Sequence, residues 1–176
     1  MPEACRALLD LNVILDVVQH RVPFYDDSAA VLAAAETGRL KGLVAAHGVT
    51  TLFYLLAKYG SPEQARVSTL ELLSVLTVAP VDGHVIEQAL ALPYRDLEDA
   101  LQMAAARQTG ADYLVTRDRA GYAAGPLSAL APAELLALLP DAADRGPRPE
   151  RATRQSTPRQ STRIPVERVG GPGRRA

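Results

Sequence analysis

The sequence predicts an α/β fold in which a mainly parallel central sheet carries helices on both faces. Short apolar runs alternate along the chain with one or two helix-type segments, which is the order expected of parallel strands joined by crossover helices. The first apolar run, within residues 8–16, is broken by Asp10. A carboxylate is costly inside a buried strand, so Asp10 is expected at the carboxyl end, where open α/β sheets bind ligands.

Charge divides the chain into two predicted parts. Residues 145–176 hold 9 Arg and 2 Glu, whereas residues 1–144 hold 10 Lys+Arg and 18 Asp+Glu. We therefore predict a globular domain over residues 1–140 and a basic tail over residues 141–176. The tail is rich in Arg, Pro and Gly and too poor in apolar residues to form a core, so we expect it to be disordered. It either makes a loose electrostatic contact with RNA phosphates or is an inert extension.

Location and redox state follow from what the sequence does not show. No signal peptide and no apolar run of membrane-spanning length are visible, so we expect a cytoplasmic protein without membrane contact. Cys5 is the only cysteine, which excludes an intrachain disulfide and indicates a small core residue.

Turn and capping signals divide the first half of the chain into elements. Asp26, Asp27 or Ser28 is the expected cap of one helix, and His47-Gly48 is expected to end a buried strand. Ser61-Pro62 combines a capping hydroxyl with proline at the first helical position, which is a strong helix start. The predicted elements are a connection over 17–24, a helix over 29–37, a strand over 40–46, and helices over 49–59 and 62–73.

The second half of the chain repeats the same alternation. Asp82 is the expected cap of a helix that Pro93 ends, Gly110 closes the next helix, and Pro132 opens the last one. The predicted elements are a strand over 75–81, a helix over 83–92, a helix over 95–108, a strand over 113–116, a short apolar piece over 127–130 and a helix over 133–139.

Three aspartates occupy positions that suggest a common site. Asp10 and Asp118 each follow an apolar strand, and Asp99 opens an otherwise apolar helix that must be buried. Each has a structural alternative: Asp10 as a helix cap, Asp99 as a residue that caps the helix or complements its dipole, and Asp118 as a turn residue. Asp96 and Glu98 suit helix capping and the helix dipole particularly well.

Carboxylates that meet at one sheet edge would repel one another unless they are protonated or bridged by a cation. Oxygen ligands without a His or Cys cluster favour Mg²⁺ or Mn²⁺ over Zn²⁺. His20, His47 and His84 lack metal-ligand spacing, so we expect surface or capping roles for them. Carboxylate-held Mg²⁺ serves phosphodiester chemistry, because it activates water and neutralises charge on the scissile phosphate.

Three motifs in this order resemble the PIN-domain family over roughly residues 6–139. They are Leu-Leu-Asp10-Leu-Asn12-Val-Ile-Leu-Asp16, Leu97-Glu98-Asp99-Ala-Leu, and Gly110-Ala-Asp-Tyr-Leu-Val-Thr116-Arg117-Asp118. The resemblance implies a three-layer α/β/α fold and a metal-dependent ribonuclease. Many small bacterial members are the VapC toxins of type II toxin–antitoxin pairs, so it also implies an RNA substrate and a small antitoxin partner, and it allows a homodimer.

Carried over residue by residue, the resemblance assigns Asp10, Asp99 and Asp118 as the catalytic acids and the ligands of Mg²⁺ or Mn²⁺. Asn12 and Thr116 match the family's supporting polar positions. Asp96 and Glu98 are predicted as further supporting acids at the start of the same helix as Asp99.

One departure from the family pattern concerns the helix after the second strand, where a Glu is usual. Thr51 stands at about that position, and no acid lies between Glu36 and Glu63. The site is therefore either weaker or recruits Asp96, Glu98 or Glu36. The alternative function is a catalytically weak PIN-like module that binds RNA or a protein partner.

Two other classes that begin with an acid after the first strand fit less well. A phosphatase of the haloacid-dehalogenase type needs a second Asp where this chain has Asn12. A response-regulator receiver needs a lysine near the last strands, and no lysine follows Lys58.

Overall fold

The computed structural model of this protein describes residues 4–140, and the predicted disordered tail over 141–176 lies outside the described residues. A five-stranded sheet forms the centre, with strand order β3-β2-β1-β4-β5 and every neighbouring pair parallel. The strands are β1 (Cys5–Leu9), β2 (Leu40–Ala45), β3 (Thr77–Ala79), β4 (Tyr113–Val115) and β5 (Ala129–Leu130). The α/β class and the parallel sheet are confirmed.

Helices connect the strands, as crossover connections of a parallel sheet require. Those within residues 4–140 are α1 (Leu11–Val18), α2 (Tyr25–Glu36), α3 (Ala46–Tyr59), α4 (Pro62–Val75), α5 (Gly83–Leu90), α6 (Leu97–Gln108) and α7 (Pro132–Leu138). Among these residues, no helix combines the length and the apolar character needed to cross a membrane.

Two buried cores, one on each face of the sheet, produce the three layers. In β1, Ala7 and Leu9 join the core that contains residues of α1, α2, α3, α4 and α7, whereas Leu8 points to the opposite core with Met103 of α6. This alternation follows from the two-residue period of a strand. The three-layer α/β/α architecture is therefore confirmed.

The strand order also fixes where a ligand site can form. From β1 the chain builds β2 and β3 on one side and β4 and β5 on the other. The carboxyl ends of β1 and β4 therefore lie at the topological switch point, where open α/β sheets have their binding crevice. Asp10 follows β1 directly, and Thr116 follows β4 directly.

Two predicted helix starts were wrong. Helix α2 begins at Tyr25, so Asp26 and Asp27 lie in its first turn and complement the helix dipole, while Ser28 is buried inside the helix. Helix α3 begins directly after β2 and includes His47 and Gly48. The helix cost of one glycine is only about 1 kcal/mol, so packing of the helix outweighs it.

Other boundaries moved by a few residues. Helix α1 extends to Val18 into the predicted connection, α4 continues to Val75, and β3 is correspondingly shorter than the predicted strand. The caps of α4 and α5 are confirmed, since the Ser61 hydroxyl accepts from the Gln64 N–H and the Asp82 carboxylate accepts from the Val85 N–H.

Candidate active site

Asp10 is held at the carboxyl end of β1 by a network of side-chain donors. The residue is 7% exposed. Its Oδ2 accepts hydrogen bonds from Asn12 Nδ2 at 2.5 Å and Thr116 Oγ1 at 2.7 Å, and its Oδ1 accepts one from Gln102 Nε2 at 3.0 Å. Asp10 occupies the position before α1, yet its side chain makes no capping bond. The alternative reading of this side chain as a helix cap is therefore wrong.

Thr116 connects Asp10 to the loop that carries Asp118. Its hydroxyl donates to Asp10 and accepts from Asn12 Nδ2 at 3.0 Å and from the backbone N–H of Asp118 at 3.0 Å. Thr116 is fully buried, so these bonds form away from competing water. The two polar residues assigned as supporting positions thus join the ends of β1 and β4.

Asp99 and Asp118 approach each other around Gly121, which lies in a single 3₁₀ turn, Ala120–Tyr122. A methyl group built on Gly121 would lie 3.0 Å from Asp118 Oδ2 and 3.7 Å from Asp99 Oδ2. These two oxygens are therefore no farther apart than the sum of those distances, 6.7 Å. A larger residue at position 121 would crowd the Asp118 carboxylate.

The other oxygen of each of these two acids is already used. Asp99 Oδ1 accepts the hydroxyl of Tyr122 at 2.8 Å, and Asp118 Oδ1 accepts the N–H of Gly121 at 3.2 Å. Each Oδ2 is thus the oxygen left to face a ligand. A cleft lined by Tyr94, Asp96 and Asp99 opens beside Gly121.

The acids repel one another. The pKa of Asp99 is raised by burial and by the charges of Asp96, Asp10 and Asp118, although the Tyr122 hydroxyl acts in the opposite direction. Partial desolvation and the neighbouring acids also raise the pKa of Glu98, although its side chain remains largely exposed. Within residues 4–140 no arginine or lysine forms an ion pair with Asp10, Asp99 or Asp118. In the part of the chain that the structure describes, their negative charge is therefore not paired with a cationic side chain.

The two acids predicted as supporting residues have different positions. Asp96 is the residue before α6, and its carboxylate accepts from the Glu98 N–H at 2.7 Å, which is a capping role. The side chain of Glu98 is exposed. Both are coupled to the site through their charge. Asp96 raises the pKa of Glu98 and of Asp99, and Asp10 and Asp99 contribute to the raised pKa of Glu98.

The fit of a divalent cation can be judged from this donor set. Among residues 4–140, no three His, Cys, Asp or Glu side chains converge closely enough to hold one ion by themselves. Mg²⁺, however, usually binds through one or two carboxylates and keeps several waters. Asp99 and Asp118, whose Oδ2 atoms lie near Gly121, supply the carboxylates for such a site, and Asp10 is linked to Asp118 through Thr116.

Three residues of the site were not predicted. Gln102, 5% exposed, lies three residues after Asp99 on α6 and so shares its helix face. Tyr122, 2% exposed, belongs to a turn without a sequence signal. Both ring nitrogens of His47 are buried and have no hydrogen-bond partner among residues 4–140, so the expected surface or capping role was wrong. Burial lowers the pKa of His47, and the charge of Asp10 opposes that shift.

Thr51, which stands where the family usually has a Glu, makes a hydrogen bond within its own helix. Its hydroxyl donates to the carbonyl of His47 at 3.3 Å, within its own helix α3. Glu36 ends α2 ahead of β2, which places it near the amino edge of the sheet and away from the strand ends that carry Asp10 and Thr116. Glu36 therefore does not replace the acid that is missing at Thr51.

These observations agree with a comparison with protein families. The family model of the PIN domain matches residues 6–120 and so covers all three motifs that carry the site. The chain belongs to the PIN-domain family. The resemblance found from the sequence is thereby confirmed.

One relative and two solved structures are also similar to this chain. Ribonuclease VapC1 of Aquifex aeolicus is 25% identical over 122 residues, which are 66% of this chain and 84% of that protein. A toxin–antitoxin complex from Klebsiella pneumoniae has a chain with a TM-score of 0.57 and 22% identity, covering 72% of this chain and 97% of that one. VapBC2 from Rickettsia felis, bound to a DNA fragment, gives a TM-score of 0.54 and 18% identity over 70% of this chain and 96% of that one.

Proposed function

We propose that this protein is a metal-dependent ribonuclease that hydrolyses RNA phosphodiester bonds and is the toxin of a type II toxin–antitoxin pair. The observation that carries the proposal is the approach of Asp99 and Asp118 around Gly121, next to the hydrogen-bonded Asp10. Similarity to ribonuclease VapC1 supports RNA as the substrate, and similarity to toxin–antitoxin complexes supports a small antitoxin as the partner.

Each residue has a distinct part in this mechanism. Asp99 and Asp118 would hold Mg²⁺ or Mn²⁺, with Asp10 completing the charge. The bound ion supplies an activated water and neutralises charge on the scissile phosphate. Asn12, Thr116 and Gln102 fix the Asp10 carboxylate, and Tyr122 fixes that of Asp99. The rigid hydrogen bonds hold the acids in place before substrate arrives, which lowers the cost of reorganisation during the reaction.

The ribonuclease proposal is tested by cleavage of a panel of structured RNAs with Mn²⁺ or with chelator. The parent should cleave only with metal, and Asp118→Asn should be roughly 10²- to 10³-fold slower. Asp112→Asn is the matched control, since Asp112 precedes β4 at the opposite edge of the sheet and accepts from the Arg6 N–H. Equal cleavage by parent and Asp118→Asn would indicate a contaminating nuclease and remove the proposal.

The antitoxin proposal has a separate test. A small open reading frame directly upstream should encode a protein that co-purifies with this chain and inhibits its cleavage of RNA. A cleaving enzyme whose upstream neighbour neither binds nor inhibits it would leave the ribonuclease proposal in place and remove the toxin–antitoxin proposal.

The missing acid at Thr51 favours a second candidate, a PIN-like module that binds RNA or a protein without useful turnover. Thr51→Glu distinguishes the two, because it restores a carboxylate where the family usually has one. If the acid limits activity, Thr51→Glu should bind Mn²⁺ roughly 3- to 10-fold more tightly and cleave faster than the parent. Cleavage by neither protein across the RNA panel would favour the binding module.

A further inference from the structure

Arg117 lies between two residues of the site, Thr116 and Asp118, but its side chain contacts α1 and the residue before α2 instead of the three acids. Its backbone N–H donates to Asn12 Oδ1 at 3.3 Å, and the next residue, Asp118, turns toward Gly121. The guanidinium instead lies 3.3 Å from Asp16 Oδ2 through Nε, and its Cζ lies 4.4 Å from the centre of the Phe24 ring. The Arg117 side chain remains 29% exposed.

Asp16 provides a fixed anchor for this arginine. It is fully buried in α1, and its Oδ2 also accepts the hydroxyl of Ser28 at 3.3 Å. Its Oδ1 has no hydrogen-bond partner among the described residues. A buried carboxylate with one oxygen that accepts no hydrogen bond contributes little to stability, because its desolvation cost is only partly offset. The arrangement does, however, hold the guanidinium in one orientation.

The remaining donors of Arg117 are suited to a phosphate. Within residues 4–140, no hydrogen bond engages its two terminal nitrogens, while Asp16 and the Phe24 ring fix the Nε edge and one face. A planar guanidinium with free terminal N–H groups binds phosphate oxygens in pairs. RNA must also approach a site with three acids, so a cation at its border offsets repulsion of the phosphates.

We propose that Arg117 binds the RNA backbone at a phosphate beside the scissile bond, and that Asp16 and Phe24 are positioning residues for its guanidinium. This inference rests on the proposed ribonuclease function and adds to it a residue that binds the substrate. The bond between the Arg117 N–H and Asn12 ties the arginine to the same network that holds Asp10.

Arg119 offers a matched control in the same loop. Its Nη1 lies 2.6 Å from Glu134 Oε1, and both side chains are well exposed. Arg119 therefore has the same charge as Arg117, but a surface carboxylate already pairs with it. A change of either arginine to glutamine removes one positive charge and keeps a polar side chain.

The experiment measures binding of a labelled single-stranded RNA in chelator, so that no cleavage occurs, over a range of salt concentrations. The full-length parent, Arg117→Gln and Arg119→Gln are compared, and the basic tail is the same in all three. Arg117→Gln should bind about tenfold more weakly at low salt. The negative slope of the logarithm of the association constant against the logarithm of the salt concentration should become shallower by about 0.7, the value for one phosphate contact on a single strand. Arg119→Gln should match the parent in both.

A purely structural ion pair predicts a different result. In that case Arg117→Gln would melt at a lower temperature but keep the parent's RNA affinity and salt slope, which would overturn this inference and leave metal-dependent cleavage by the parent unaffected. A parent that neither binds nor cleaves RNA would overturn both proposals.

If Arg117→Gln does not fold, Arg117→Lys decides the question, because lysine can keep the ion pair with Asp16. Lysine lacks the planar fork, so the inference predicts RNA binding roughly threefold weaker with an unchanged salt slope. Binding equal to that of the parent would overturn the inference.

Discussion

The two halves of the acidic site are stabilised in opposite ways. Asp10 accepts hydrogen bonds from three side chains that belong to three separate parts of the chain: Asn12, Gln102 and Thr116. Among residues 4–140, Asp99 accepts one side-chain hydrogen bond, from Tyr122, and burial together with the neighbouring acids raises its pKa. The charge of the Asp10 carboxylate is therefore stabilised by hydrogen-bond donors of the folded protein, whereas the negative charges around Asp99 still repel one another.

This difference indicates where a bound cation would stabilise the folded state most. A charged group with several donors is already stable in the metal-free protein, so a metal adds little to its folding energy. Where carboxylates repel one another, a bound cation relieves the repulsion and so stabilises the folded state. We therefore expect Asp10 and Asp99 to respond alike in cleavage and differently in stability.

The largest effect is expected from Asp10→Asn. Cleavage should fall roughly 10²- to 10³-fold, because the charge that completes the site is lost. The amide nitrogen of asparagine would replace one carboxylate oxygen and could not accept the hydrogen bond made there. The free energy of unfolding in chelator should therefore fall by about 1–3 kcal/mol. Thermal melting and the RNA assay check both effects, and an unchanged or higher melting temperature would contradict the compensated state of Asp10.

Asp99→Asn is the matched partner in the other half. Cleavage should fall about as much as for Asp10→Asn, but the melting temperature in chelator should rise, because repulsion is removed while Oδ1 can still accept from Tyr122. Added Mn²⁺ should raise the melting temperature of the parent more than that of this variant. If both substitutions lower stability equally, the contrast between the two halves is wrong.

Tyr122→Phe sharpens the comparison, because among the described residues Tyr122 provides the one side-chain hydrogen bond to Asp99. Groups that orient a metal ligand influence affinity although they do not touch the ion, so Mn²⁺ should bind roughly 3- to 10-fold more weakly by calorimetry. Tyr94→Phe is the control, since among the described residues its hydroxyl donates to the backbone oxygen of Tyr122 and not to a carboxylate. Equal loss in both variants would point to general loosening of the turn.

The smallest effect is a dependence of stability on pH. The pKa of Asp99 is raised from 3.8 and that of Glu98 from 4.5, so the folded state keeps protons that the unfolded state has released. Their contribution to stability is therefore present at low pH and is lost as pH rises through the raised values. As the pH rises from about 4 to 7 in chelator, the free energy of unfolding of the parent should therefore decrease relative to that of Asp99→Asn. Parallel melting curves of the two proteins would argue against this charge effect.

The sequence by itself determined the order of strands and helices and the position of Asp10 directly after β1, whereas Asp118 lies in the loop that follows Thr116 and not at the end of β4. These features depend on local rules, namely the apolar periodicity of each segment and caps such as Ser61 and Asp82, which act over a few residues. The PIN-domain motifs are local in the same sense, so the family could be found before the fold was known.

Boundaries were the weaker part of the prediction, because packing outweighs local signals there. Gly48 was expected to separate strand from helix, yet it is buried within α3. Ser28 was expected to cap α2, yet it is buried and bonds to Asp16. Both outcomes depend on neighbours that are distant in sequence or on another element.

Only the tertiary structure decided how the site is completed. Gln102 reaches Asp10 across 92 residues of sequence because α6 packs against β1, and Tyr122 reaches Asp99 because the 3₁₀ turn folds over the start of α6. The unpartnered His47 ring and the pairing of Arg117 with Asp16 likewise depend on how the elements meet. Such contacts join elements that are far apart in the chain, so no periodicity or capping pattern encodes them.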